Sequence, residues 1–147
     1  MHRIAISQDF DAPAAVLWDF LRDFAHIERW WPNHDPSVQI DHVDLEGEGI
    51  GMVRHIYNQG YPDPVSERLD HQDAETMTYR LSIVGKAPVG ITRYQATGRI
   101  EALPDDRSRL HYASEFATVS GKPDEADAWL RMAYQLMFAG LAAAVAR

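Results

Sequence analysis

The chain contains no cysteine, which excludes a disulfide framework, a thiolate nucleophile and a cysteine-ligated zinc site. It has no excess of positive charge either: 14 Lys+Arg stand against 22 Asp+Glu, a formal net charge of -8 with histidines neutral. With no Lys/Arg cluster, that balance argues against nucleic acid and against anionic membrane surfaces as partners. Long apolar runs are missing too. The longest nearly apolar stretch, Leu136 to Ala146, falls short of the ~20 residues of a spanning helix. Met1 to Phe10 alternates polar and apolar residues, whereas a signal peptide carries a continuous apolar run. These exclusions leave a cytoplasmic protein whose partner is a small molecule or another protein.

What is present is an ordinary globular composition, with 46% hydrophobic and 24% charged residues in a chain of 147. A chain of this length buries roughly 70% of its unfolded surface, enough for one core, and residues 1–147 are expected to form a single ligand-binding domain. Ile4, Ile6 and Phe10 fall on one face at period two, so Arg3 to Phe10 reads as a half-buried strand. Asp11-Ala12-Pro13 marks a helix start, and Val16, Leu17, Phe20, Leu21 and Phe24 continue at helical spacing to about Asp23. A short second helical piece ends at Trp30-Trp31-Pro32, and Asn33 to Ser37 is a turn.

From there the pattern changes to short strands. Val38–Leu45, Gly51–Asn58, Val65–Gln72, Thr76–Val84, Ile91–Ala102 and Arg109–Val119 are separated by short breaks rich in Gly, Pro and Asp, as in an antiparallel meander of hairpins. Gly47-x-Gly49-x-Gly51 leads into a strand, so bulge glycines of a hairpin explain it better than a phosphate loop. Pro123, Asp124 and Glu125 open a last helix whose apolar stripe holds Trp129, Met132, Ala133, Leu136, Met137, Gly140, Leu141 and Ala144, with Arg147 as the closing cation. The acids Asp124 to Asp127 are its solvated start. The order of elements is that of an α+β helix-grip fold: a curved antiparallel sheet wrapped around a long C-terminal helix, with two short N-terminal helices. Where such a sheet and helix part, a cavity forms.

Val53-Arg54, Gly60-Tyr61-Pro62, Glu67-Arg68-Leu69, Ser82-Ile83-Val84-Gly85 and Tyr94 carry a resemblance. In order and spacing they resemble the birch-pollen-allergen and START-related superfamily, whose bacterial members include polyketide cyclase/dehydrase-like proteins. The likeness is densest to the branch holding the plant abscisic-acid receptors. The resemblance implies a polar pocket network at Glu67, Tyr94 and Glu115 and a mobile gate at Gly60-Tyr61-Pro62. It breaks at two places. The lysine that grips the hormone carboxylate is replaced near Trp30-Trp31, and Ala87-Pro88-Val89 stands where the family has its His-Arg-Leu latch. Hormone recognition and phosphatase docking are therefore not implied.

Strand parity extends this. If Glu67 faces inward, so do Val65 and Leu69. The corresponding inward sets are then His55 and Tyr57; Tyr79, Leu81 and Ile83; Thr92, Tyr94 and Ala96; and His111, Ala113, Glu115 and Ala117. On this reading Arg54, Arg93 and Arg99 are outer-face charges. Trp30, Tyr57, Tyr61, Tyr79, Leu81, Trp129, Met132, Ala133, Leu136 and Met137 are the expected ligand-contacting residues. One tryptophan of the Trp30-Trp31 pair serves as lid and the other as core anchor.

Glu67, Glu115, Tyr94 and His55 are the candidate catalytic residues. Two carboxyls sharing a desolvated pocket do not both ionise without partners, so one holds a proton or His55 supplies the opposing charge. That arrangement suits enolisation, dehydration or aldol-type cyclisation. Alternatively, Glu67 only hydrogen-bonds Tyr94 and water and holds the pocket open. The histidines show no metal spacing, and neither a metal nor an organic cofactor is expected.

Two functions remain open at this level. The protein converts a hydrophobic, partly oxygenated small molecule, as a cyclase- or dehydratase-like lyase, or it only carries or senses such a ligand. A protein-interaction module of the same fold would want an exposed apolar patch that no segment demands. The Met- and Ala-rich last turns either close the cavity or pack on a second copy in a homodimer.

Overall fold

Turn chemistry sets the limits of the sheet. Gly47, Gly49 and Gly51 all take positive φ (+78°, +67° and +95°), which glycine adopts without strain, and the chain reverses there from one strand into the next. The structure, a computed structural model, describes every residue except His34, Ser37, Lys122 and Arg147. The expected turn at Asn33–Ser37 and the expected closing cation Arg147 thus fall partly or wholly outside the described residues.

In chain order the strands are β1 (His2–Phe10), β2 (Ile40–Glu46), β3 (Val53–Asn58), β4 (Val65–Asp73), β5 (Thr78–Ile83), β6 (Ile91–Leu103) and β7 (Arg107–Thr118). Between β1 and β2 lie helix α1 (Ala14–Leu21) and a single 3-10 turn at Ile27–Arg29, and after β7 comes helix α2 (Asp124–Val145). The strands form one sheet in the order β1-β7-β6-β5-β4-β3-β2, antiparallel throughout. β1 occupies one edge, the α1 segment carries the chain to the other edge, and the meander returns until β7 pairs with β1. Register shifts at Ile40/His42, Leu69/His71 and Ile91/Arg93 each insert an extra residue, which bends a strand and raises its twist. This is the helix-grip fold: a curved sheet around α2.

The two halves of α2 do different work. Phe138, Leu141 and Ala144 are buried together with α1 residues Leu17, Trp18 and Leu21 and with Ile4 and Phe10 of β1, and Phe10 meets Phe138 edge-on at 6.2 Å. Gly140 permits the close approach, since a Cβ there would overlap the Trp30 carbonyl oxygen. From Trp129 to Met137 the helix forms one wall of a cavity. By length and mean hydropathy alone, α2 is also apolar enough to cross a membrane, in contrast to the shorter run read from the sequence. In this fold its apolar face is enclosed by the sheet.

Candidate functional site

The space under the first half of α2 is a cavity of about 390 Å³, within the range of small-molecule sites. Ile56 of β3, Val65 of β4, and Leu81 and Ile83 of β5 form the sheet wall, while Trp129, Met132, Ala133, Leu136 and Met137 form the helix wall. Trp30 and Trp31 close one side, and the Trp31 indole N–H donates to the Val38 carbonyl at 2.8 Å. Two loops make the rim, Tyr61-Pro62-Asp63-Pro64 and Lys86-Ala87-Pro88. Lys86 Nζ lies 3.0 Å from Asp63 Oδ2 and ties them together. Tyr61 lines the cavity with 67% of its surface exposed.

Polar groups reach this apolar space in two clusters. In the first, Arg54 of β3 stands directly across from Glu67 of β4 in the sheet register. Arg54 Nε donates to Glu67 Oε1 at 2.8 Å, and Nη2 lies 2.8 Å from the same oxygen. Nη1 donates to the Phe24 carbonyl at 3.1 Å, and the guanidinium sits 3.9 Å above the Phe24 ring. Arg54 is thereby a buried cation paired with a carboxylate, which is what a buried charge requires.

The second cluster is phenolic. Tyr134 Oη donates to Ser114 Oγ at 2.7 Å, and the hydroxyls of Tyr94 and Tyr134 are 2.6 Å apart. Tyr112 packs edge-on to Tyr134 with ring centroids 4.9 Å apart, and Tyr79 lies 6.5 Å from Tyr112. Burial pushes the hydroxyls of Tyr79, Tyr94 and Tyr112 well above the usual tyrosine range, and that of Tyr134 up to about 12. All four are neutral phenols near pH 7. The charge on Glu67 adds to this for Tyr79, Tyr112 and Tyr134.

Most of the residues expected from the sequence line this cavity: Glu67, Tyr94, Trp30, Tyr61, Tyr79, Leu81, Trp129, Met132, Ala133, Leu136 and Met137. Others do not, and the reason is register. On β7 the inward set is Leu110, Tyr112, Ser114 and Phe116. Glu115 therefore lies on the outer face, where it meets Arg3 at 3.0 Å. His111 pairs outside with Glu101 at 2.8 Å. Ala113 and Ala117 share that outer parity, and the shift at Ile91/Arg93 puts Thr92 at the exposed surface.

On β3 the inward residues are Arg54, Ile56 and Asn58. His55 instead bonds Ser66 Oγ at 2.6 Å and Glu46 at 3.3 Å, and Tyr57 stacks on His42 at 4.4 Å. Arg54 is thus the reverse of an outer-face charge, while Arg93 and Arg99 are exposed. The expected pair of pocket carboxyls sharing a proton does not form, because Glu67 has an arginine and Glu115 is elsewhere.

Sequence reasoning misses Arg54, Tyr112 and Tyr134 in the pocket, and Ser114 as the partner of Tyr134. The period-two run Leu110, Tyr112, Phe116 carried the signal for β7, and Tyr134 sits midway between Leu130 and Phe138 at helical spacing. Among the described residues, no three His, Asp or Glu side chains gather as a metal site.

A curved antiparallel sheet, a long helix laid across it and an apolar cavity between them define a helix-grip architecture. The family described as polyketide cyclase / dehydrase and lipid transport matches residues 1–146, and the chain belongs to that family. Its fold is shared with XoxI from Bacillus cereus (TM-score 0.82, 23% identity, covering 99% of this chain and 96% of that one). It is similar to norcoclaurine synthase from Thalictrum flavum, solved in complex with dopamine and hydroxybenzaldehyde (TM-score 0.78, 14% identity, 96% and 84% covered). Zhui aromatase/cyclase from Streptomyces sp. R1128 has the same fold (TM-score 0.71, 19% identity, 98% and 90% covered). At such identities the likeness is one of fold, and function rests on the site. No curated protein sequence matches the chain.

Proposed function

We propose that this protein binds a flat, hydrophobic, partly oxygenated small molecule in the cavity between the sheet and α2. The observation that carries the reading is the distribution of polarity. Among the described residues, a largely apolar volume of about 390 Å³ takes its polar groups from the Arg54–Glu67 pair, the tyrosine cluster, Asn58 and the charged rim. Apolar walls supply affinity, and a few fixed polar groups supply orientation. Two of the similar folds point the same way: one holds dopamine and hydroxybenzaldehyde, and another is an aromatase/cyclase.

A second reading adds turnover, favoured by the carboxylate and neutral phenols facing one cavity. Glu67 would take a proton from carbon next to a ligand carbonyl while a tyrosine hydroxyl donates to the developing enolate oxygen. An aldol-type ring closure and loss of water would complete a cyclase- or dehydratase-like step. Glu115 and His55 have no part in it.

One experiment separates these readings: incubation with a small-molecule extract of the source organism, followed over time by mass spectrometry. Binding alone retains one compound at up to one equivalent with its mass unchanged. Turnover depletes a compound beyond the molar amount of protein and yields a new mass, lower by water for a dehydration; this activity is lost in Glu67→Gln. Retention of no compound would overturn both readings.

A further inference from the structure

The two polar clusters are not neutral toward a ligand. Arg54 is held at three nitrogens and one face: Nε and Nη2 on Glu67 Oε1, Nη1 on the Phe24 carbonyl, and its planar face on the Phe24 ring. Its side chain retains 8% of its accessible surface, against 17% for Glu67. Both arginine contacts to the carboxylate fall on Oε1, so Oε2 keeps its lone pairs for another donor. The ion pair therefore shows the cavity its anionic half.

Within the tyrosine cluster, the Tyr94–Tyr134 pair leans the same way. A hydroxyl has one proton, and that of Tyr134 goes to Ser114 Oγ. Tyr94 must then be the donor in its 2.6 Å contact with Tyr134. Both of these protons are spent inside the wall. At the rim, Lys86 is already paired with Asp63.

From this arrangement we infer that the cavity selects an uncharged, flat ligand that presents a hydroxyl or N–H donor to Glu67, and that it rejects carboxylates and other anions. An anion would meet the Glu67 charge in a poorly solvated space, while the guanidinium that could offset it is the more deeply buried half of the pair. A ligand with acceptors alone would leave the carboxylate oxygen without a partner after its water is displaced. The inference rests on the cavity being the binding site.

Three two-ring probes of similar shape test it by calorimetric titration: β-naphthol, its methyl ether and β-naphthoate. β-Naphthol is expected to bind about tenfold or more tightly than either of the others, the factor for a hydrogen bond to a charged group. Glu67→Gln removes the charge and frees Arg54, and is expected to bring β-naphthoate level with β-naphthol or above it. The wild-type comparison decides the matter by itself if that variant fails to fold. Equal or tighter wild-type binding of the ether or the naphthoate would overturn the inference and leave the cavity as the site. Binding of none of the three would overturn the binding reading, and the inference with it.

Discussion

Arg54 shows how one residue's facing decides the chemistry of a site. Turned inward, it gives Glu67 a fixed counter-ion, so the carboxylate is an anchored acceptor. Removing one half of a buried ion pair strands the other. Arg54→Met is therefore expected to lower stability by about 3 kcal/mol in denaturant melts, and a change under about 0.5 kcal/mol, as at a surface site, would contradict the pairing. Glu115→Gln is the contrasting case. Its partner Arg3 lies on the exposed outer face with its side chain 76% accessible, so ligand binding and any turnover are expected to stay at wild-type level. Loss of either in Glu115→Gln would put Glu115 back in the site.

The sequence was ambiguous about Arg54 for a physical reason. β3 runs Val-Arg-His-Ile-Tyr-Asn, with apolar residues on both parities, because its inner face meets a polar corner of the cavity and its outer face carries a stacked aromatic pair. β7 was less ambiguous. Leu110, Tyr112 and Phe116 alternate cleanly, and the expected position of Glu115 followed the family resemblance against that alternation. A one-residue error of parity reverses a whole strand, which is why His55, Tyr57, His111 and Glu115 moved together.

Among the elements, the segment between α1 and β2 is the least regular wall of the cavity, and electrostatics hold it. Asp23 takes hydrogen bonds from His26 at 2.8 Å and from Arg29 at 2.9 Å. The Asp23 carboxylate raises the His26 pKa above its ordinary 6.5. A raised folded-state pKa contributes stability that is complete below the unfolded value and fades as pH climbs through the folded one. Thermal stability is thus expected to decline as pH rises above about 6.5, with a shallower decline in His26→Gln. An identical pH profile in that variant would contradict the assignment.

Gly140 belongs to the same wall, since it lets α2 pack on the Trp30 carbonyl and on Pro32. Gly140→Ala is expected to cost about 1–3 kcal/mol through overpacking, read by denaturant melts. A neutral or stabilising result, as for a glycine in open helix, would show that the close approach is not needed.

At the scale of the whole molecule, far more was legible. Punctuation by Gly, Pro and Asp marked every hairpin, and the strand limits moved by only a few residues. The amphipathic stripe of α2 pointed to a helix against a sheet, and the order of elements to a helix-grip fold. What periodicity could not show was where along α2 the sheet lets go. That depends on the bends at Ile40/His42, Leu69/His71 and Ile91/Arg93, which are set by pairing between distant strands.

The account stands on the cavity under Trp129–Met137 being where a ligand sits, and Ala133→Trp tests this most directly by filling it from the helix side. Wild-type protein and variant would be exposed to the same metabolite extract and weighed intact by native mass spectrometry, with melts run alongside. The expected result is one retained compound on the wild type and none on a variant that still melts cooperatively. Equal retention by Ala133→Trp would place the ligand elsewhere and contradict the account.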